Sequence, residues 1–266
     1  MSNRELTRHE AADAIERRGA EVYAAFLRPY LRPDMVILDC GCGEAAIALG
    51  LAQALRDGRI VGVDLDKGSL AIAGGYAVAM ECGNLAFVAG DGRQLPFRDA
   101  SFDAVLCHSV LETVADPAKL VEELRRVTKP GGLVGAASVD YGGIILGGGC
   151  AEKPQRFYDI RRQLWRAAGI AEPNMGRRLR GLFQAAQFDR VEAFADYISY
   201  GTPDRVRAFA LDRAAECRDR AWQALVARHA IASVDELLGL ADAWEAWSDD
   251  PGAFFAFAWC RVVARR

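Results

Sequence analysis

The sequence predicts an α/β fold, a doubly wound, mostly parallel sheet with helices on both faces. Three observations carry this. Short apolar runs alternate with helical patterns from residue 35 to about 140, an order that demands parallel strands joined by right-handed crossovers. The first run, Val36-Ile37-Leu38, passes through Asp39 into a turn with glycines at Gly41 and Gly43 and then into a helical pattern. Such a strand–turn–helix unit lets a ligand approach the main chain, because glycine has no Cβ to hold it off. Finally, three successive strands end in an acid: Asp39, Asp64 and Asp91.

The elements follow in order. Residues 7–31 place Ala11, Ile15, Val22, Phe26 and Leu27 at helical spacing, which predicts a leading helix. Arg17 and Arg18 on it either reach an anionic group or form a solvated basic face. After the first strand, Glu44 to Leu55 reads as a helix. Ile60 to Asp66 is the second strand, the run from Leu85 holds a third that ends at Asp91, and the run from Ser101 to Glu112 gives the fourth. Asp116-Pro117 is a helix start, an N-cap followed by proline at the first helical position. Leu120, Val121, Leu124 and Val127 form its buried stripe, and Lys129-Pro130-Gly131-Gly132 stops it. Strand five covers about 132–139 and runs into Asp140-Tyr141. Gly142 to Gly149 is expected to be no core element, but either a plain connector or the hinge of a lid. Phe157 to Ala168 and Asn174 to Gln187 read as helices, with strand six at about 188–195. Tyr197, Tyr200 and Gly201 lead into a long helical insertion at 203–248, and Ala253 to Val263 is the final strand.

Composition bounds the function. A chain of 266 residues with 52% apolar residues suits one domain with appendages rather than two equal domains. The net charge of −3 argues against a protein that wraps nucleic acid, whose affinity comes from neutralising phosphates. The first residues, Met1-Ser2-Asn3-Arg4-Glu5, are charged and lack the apolar core of a signal peptide, so none is expected, and no apolar run approaches a bilayer span. Seven cysteines without a Cys-x-x-Cys pair fit reduced thiols in a cytoplasmic protein better than a metal site. No metal, no nucleic acid and no membrane partner is therefore expected, and the oligomeric state is open.

Gly41-x-Gly43-x-x-Ala46, with Asp64 about 20 residues on, also fits a relaxed dinucleotide fingerprint. Context separates the two. The run Asp39-Cys40-Gly41-Cys42-Gly43, the acids at Asp64 and Asp91, Gly90-Asp91-Gly92-Arg93-Gln94-Leu95-Pro96-Phe97 and Lys129-Pro130-Gly131-Gly132 together resemble the class I S-adenosylmethionine (SAM)-dependent methyltransferases. The likeness is nearest to their small-molecule branch, which includes the quinone-ring enzymes, and covers about residues 35–140. Ala45 stands where the family usually has a third glycine, and Thr113 where it often has histidine.

The resemblance implies a seven-stranded sheet of order 3-2-1-4-5-7-6 with the last strand antiparallel. It implies a SAM-binding domain over 35–266, preceded by a helical segment, 1–34, above the cofactor mouth. Insertions at 151–173 and 203–248 would form a helical cap over the substrate. In that reading Asp39 receives the methionine ammonium beside the Gly41 carbonyl, and Gly41 and Gly43 let the sulfonium arm lie on the backbone. Asp64 accepts both ribose hydroxyls, Leu65 covers the adenine, Asp91 accepts from its amine and the Gly92 N–H meets a ring nitrogen. The blander readings are helix capping for Asp39 and a turn for Asp91. His108, beyond strand four, is either the general base or a wall of the SAM arm. Glu112 lies one turn on, and Asp140, Tyr141, Tyr158, Tyr197 and Tyr200 lie where a substrate could touch them. The implied function is methyl transfer from SAM to a small organic molecule, leaving S-adenosylhomocysteine (SAH). The alternatives are a non-catalytic SAM- or SAH-binding subunit and a nicotinamide-dependent oxidoreductase.

Overall fold

A computed structural model describes residues 19–55, 57–169 and 171–266. The first eighteen residues, and with them Ala11, Ile15, Arg17 and Arg18, lie outside the described part. The strands are β1 (Val36–Cys40), β2 (Arg59–Asp64), β3 (Leu85–Ala89), β4 (Phe102–His108), β5 (Thr128–Gly147), β6 (Arg190–Tyr200) and β7 (Phe254–Arg265). The helices are α1 (Ala20–Tyr23), α2 (Ala46–Ala52), α3 (Lys67–Ala79), α4 (Pro117–Val127), α5 (Glu152–Ala168), α6 (Leu179–Ala185), α7 (Pro203–Arg218), α8 (Arg220–Arg228) and α9 (Val234–Ser248). The seven strands lie in the order β3-β2-β1-β4-β5-β7-β6. β1 pairs in parallel with β2 and β4, β2 with β3, and β4 with β5. β7 runs antiparallel: Gly131 N–H donates to the Arg266 carbonyl and Arg266 N–H to the Gly132 carbonyl. The resemblance's sheet order and reversed last strand are both present.

The chain divides into two compact units. Among the described residues, one comprises 19–138, 178–194 and 261–266, and the other 139–177 and 195–260. In the first, Leu27, Ile37, Leu51, Ile60, Leu106 and Leu133 pack in one apolar core against one face of the sheet. The buried Arg261 ties the leading segment down, donating to the Tyr23 carbonyl at 3.1 Å and lying 5.0 Å from the Phe26 ring centre. In the second unit the core is aromatic. Tyr158 stacks on Phe255 at 5.2 Å, Phe209 stacks on Phe255 at 4.4 Å, and Trp244 and Trp247 are fully buried.

Several elements depart from the sequence reading. Of the expected leading helix, the described residues hold α1, Ala20–Tyr23, and a 3₁₀ turn at Arg28–Tyr30, with Ala24 to Leu27 non-helical between them. α2 begins at Ala46, not Glu44, because Ala45 is left-handed at φ 65°. β5 neither starts at 132 nor ends at 139. It runs for 20 residues and takes in Gly142 to Gly147, so that stretch is strand rather than connector or hinge. Trp247 Nε1 donates to the Gly147 carbonyl at 2.8 Å, which gives the glycine-rich end a partner its own composition does not show. β6 likewise extends to Tyr200, so Tyr197 and Tyr200 sit on a strand.

Candidate functional site

The turn after β1 is shaped by backbone that few residues tolerate. Gly41 has φ +75° and donates to the Val63 carbonyl at 2.7 Å. A Cβ built there would lie 2.1 Å from Val110 Cγ2, so both conformation and space demand glycine. Gly43 has φ +52°, and on the opposite lip Ser109 has φ 57°. Left-handed non-glycine residues cost about 1–3 kcal/mol and gather at functional sites.

Around this turn lies a cavity of about 470 Å³, within the ~300–1,000 Å³ common for small-molecule sites. Its wall comes from four strand ends: Cys40 and Gly41 after β1, Asp64 and Leu65 after β2, Asp91, Gly92 and Arg93 after β3, and Ser109 and Val110 after β4. Parallel sheets bind ligands outside these carboxyl ends. Leu65 is 71% exposed there, an apolar side chain held out into the cavity mouth.

Of the residues singled out from sequence, Gly41, Asp64, Leu65, Asp91 and Gly92 line this cavity. Asp39, Gly43 and His108 are absent from its wall. Gly43 lies behind, donating its N–H to Asp64 Oδ2 at 2.8 Å, while Asp66 N–H reaches Asp64 Oδ1 at 2.9 Å. The Asp64 carboxylate is thus held in place from two sides of the turn. His108 is buried and meets the Tyr23 ring edge-on at 5.1 Å. This position suits packing beneath the lip better than proton transfer in the cavity. Glu112 accepts from Ser138 Oγ at 2.7 Å. Asp140 is gripped in the second unit by the Arg177 guanidinium at 2.7 and 2.8 Å, and Tyr158 is fully buried in that unit's aromatic core. Tyr197 is half exposed.

Asp39 carries the most unusual electrostatics. It is 2% exposed, and among the described residues no donor bonds its carboxylate. Burial, reinforced by the neighbouring charge of Asp64, pushes its carboxyl from 3.8 up to about 7. An uncompensated buried acid of this kind is poised for a cation. Burial, with the charges of Asp39 and Asp64, also pushes the Cys42 thiol up. Helix capping does not account for Asp39. α2 has no side-chain cap, and no cluster of three or more metal-binding side chains occurs among the described residues.

Two features escaped the sequence reading. Arg93 forks onto Asp91, with Nε at 3.1 and 3.2 Å and Nη2 at 2.7 Å. Glu123 anchors the following loop: it accepts the Leu95 N–H at 2.8 Å and both arms of Arg126 at 2.7 Å. Arg126 in turn donates to the Leu95 and Phe97 carbonyls. One sequence signal was available, since Glu123 is an acid set within the buried stripe of Leu120, Leu124 and Val127.

Residues 38–135 match the family described as "Methyltransferase domain". An uncharacterized methyltransferase of Schizosaccharomyces pombe is 32% identical over 172 residues, 62% of this chain and 60% of that protein. Residues 38–135 are thus similar to a methyltransferase domain. A demethylmenaquinone methyltransferase of Geobacillus kaustophilus is 38% identical over 97 residues, 36% of this chain and 42% of that protein. The chain therefore spans less than two thirds of these curated relatives. Among solved structures, a Haemonchus contortus phosphoethanolamine N-methyltransferase 2 in complex with S-adenosyl-L-methionine shares the fold. The match has a TM-score of 0.55 at 20% identity and covers 92% of this chain and 52% of that one. The matched methyltransferase segment contains every strand end that builds the cavity. No helix among the described residues is long and apolar enough to cross a membrane.

Proposed function

We propose that the protein transfers a methyl group from SAM to a small organic molecule, and that the cavity at the ends of β1 to β4 holds the SAM. The observation that carries this is Asp39: a buried acid directly behind the Gly41 turn, with no donor among the described residues, suited to an ammonium group and unsuited to a pyrophosphate. The other contacts follow from position. Asp64, fixed by the Gly43 and Asp66 N–H groups, offers its remaining lone pairs to a ribose diol. Leu65 offers an apolar face to a purine, and Asp91 with the Gly92 N–H offers an acceptor and a donor to its edge. The likeness to a fold solved with SAM bound supports the same ligand.

SAM supplies a methyl group on an already cationic leaving group. The protein's task is then to align the acceptor in line with the breaking bond, an ordering that can contribute ~7–11 kcal/mol. His108, buried away from the cavity wall, is assigned to positioning the lip at Ser109 and Val110 rather than to proton removal. The demethylmenaquinone relative supports a small-molecule acceptor, as does the acidic charge of the chain.

Two measurements test this. Calorimetry with SAH and with NAD should give SAH binding only; NAD binding without SAH binding would replace the reading with an oxidoreductase. Label from methyl-tritiated SAM should then pass into a small-molecule extract. SAH binding with no such transfer would leave a binding subunit instead.

A further inference from the structure

The hydrogen bonds around Asp91 leave it no room for a new donor. A carboxylate offers about four lone-pair sites. Oδ1 accepts the Arg93 N–H at 2.9 Å and Arg93 Nε at 3.1 Å. Oδ2 accepts Arg93 Nε at 3.2 Å and Nη2 at 2.7 Å. One residue, two positions away, thus covers both oxygens of a side chain on the cavity wall. If Asp91 is to accept the amine of a purine, as the proposed function requires, the Arg93 guanidinium has to leave at least one of these oxygens.

We propose that Arg93 is a latch on the purine end of the site, closed on Asp91 until the nucleoside binds and released when it does. The inference rests on the SAM reading given above. The latch is cheap to open. Arg93 and Asp91 are 42% and 35% exposed in their side chains, and exposed ion pairs of this kind are weak and screened by salt. It also has somewhere to go. Asp116, the N-cap of α4, uses Oδ1 to accept the Lys119 N–H at 3.0 Å, and no donor bonds Oδ2 among the described residues. Its negative charge already acts on Arg93, and its neighbour Ala115 lines the same cavity. Moving from Asp91 to Asp116 keeps the guanidinium paired and frees an acceptor for the ligand. In the closed position the same fork keeps Asp91 ionised and correctly turned.

The latch makes an uncommon prediction for an arginine on a binding-site wall: removing it tightens binding. Arg93→Met keeps the aliphatic stem and deletes the fork, and should bind SAH two- to tenfold more tightly than the unaltered protein by calorimetry. The gain should appear in the association rate measured by stopped flow. Asp116→Asn should weaken SAH binding in the unaltered protein but leave Arg93→Met unchanged, because the second position matters only while the arginine is present. Equal or weaker SAH binding by Arg93→Met overturns the latch and makes Arg93 either inert or a direct contact. SAH binding to neither protein overturns the SAM reading itself, an outcome distinct from failure of the latch alone.

Discussion

Replacing Asp39 with asparagine should stabilise the fold while destroying its affinity for the cofactor. Raising a carboxyl from 3.8 to about 7 corresponds to about 4 kcal/mol against the ionised form, at ~1.4 kcal/mol per pH unit. The sign follows from proton counting. Between 3.8 and about 7 the folded protein holds a proton that the unfolded chain has lost. The stability associated with Asp39 is thus complete below 3.8 and drains away as the pH climbs to about 7. Above that it stays at its minimum, with an ion buried beside Asp64. The substituted amide would carry no charge at any pH. It would itself be buried without a partner, which cuts the gain, so Asp39→Asn should be more stable by about 1–3 kcal/mol at pH 8. The advantage should shrink by roughly 2.6 kcal/mol at pH 5.

Urea unfolding at the two pH values measures this directly. SAH affinity should move the other way, falling about 10- to 100-fold, since a hydrogen bond to a charged group contributes about 1.5–3 kcal/mol. Binding to the unaltered protein below pH 7 should also release a proton, visible as a calorimetric enthalpy that depends on the buffer. If Asp39→Asn is less stable than the parent at pH 8, or if its advantage is the same at pH 5, the carboxylate is not a buried unpaired ion. The reasoning from its burial would then be refuted.

Three further outcomes are expected. Asp64→Ala should weaken SAH binding at least tenfold by calorimetry, and the Asp39 carboxyl should titrate lower by NMR once its neighbouring charge is gone. Gly41→Ala should lower stability by about 1–3 kcal/mol in urea, the range for overpacking, because its methyl would meet Val110 Cγ2. Val110→Ala added to it should restore part of the loss. His108→Ala should raise the KM for SAM before it slows the methyl-transfer step, as expected of a packing residue. A kcat loss with unchanged KM would return it to the role of base.

The fold was legible where the chain repeats one local rule. β1 to β4 are short apolar runs with an acid or a turn at the end, and Asp116-Pro117 is a helix start whose capping bond to Lys119 N–H is present at 3.0 Å. Legibility failed where tertiary contacts override composition. Gly142 to Gly147 has the makeup of a loop, yet Trp247, a hundred residues away, bonds the Gly147 carbonyl and the segment is strand. Glu44 has a helix former's propensity, but the left-handed Ala45 beside it delays the helix. Propensity is a weak prior in both cases, and the stronger term is where the backbone hydrogen bonds go.

The same division runs through the site. Chain direction alone brings the acids at the ends of β1, β2 and β3 to one sheet edge, so Asp39, Asp64 and Asp91 group together from the sequence pattern. What direction does not convey is depth. Asp39 and His108 both occupy the last two positions of a strand, and both are buried away from the cavity wall, whereas Leu65, one residue past its strand, is held out into the opening. Side chains alternate faces along a strand, so a motif read as a string places its members at the correct edge but not on the correct surface. Asp39 illustrates why this matters. Had it lined the cavity it would be solvated, with an ordinary carboxyl and only a modest hold on a cation. Set behind the wall, its charge is one that an ammonium group would relieve, and the opposed changes in stability and SAH affinity expected of Asp39→Asn test that role.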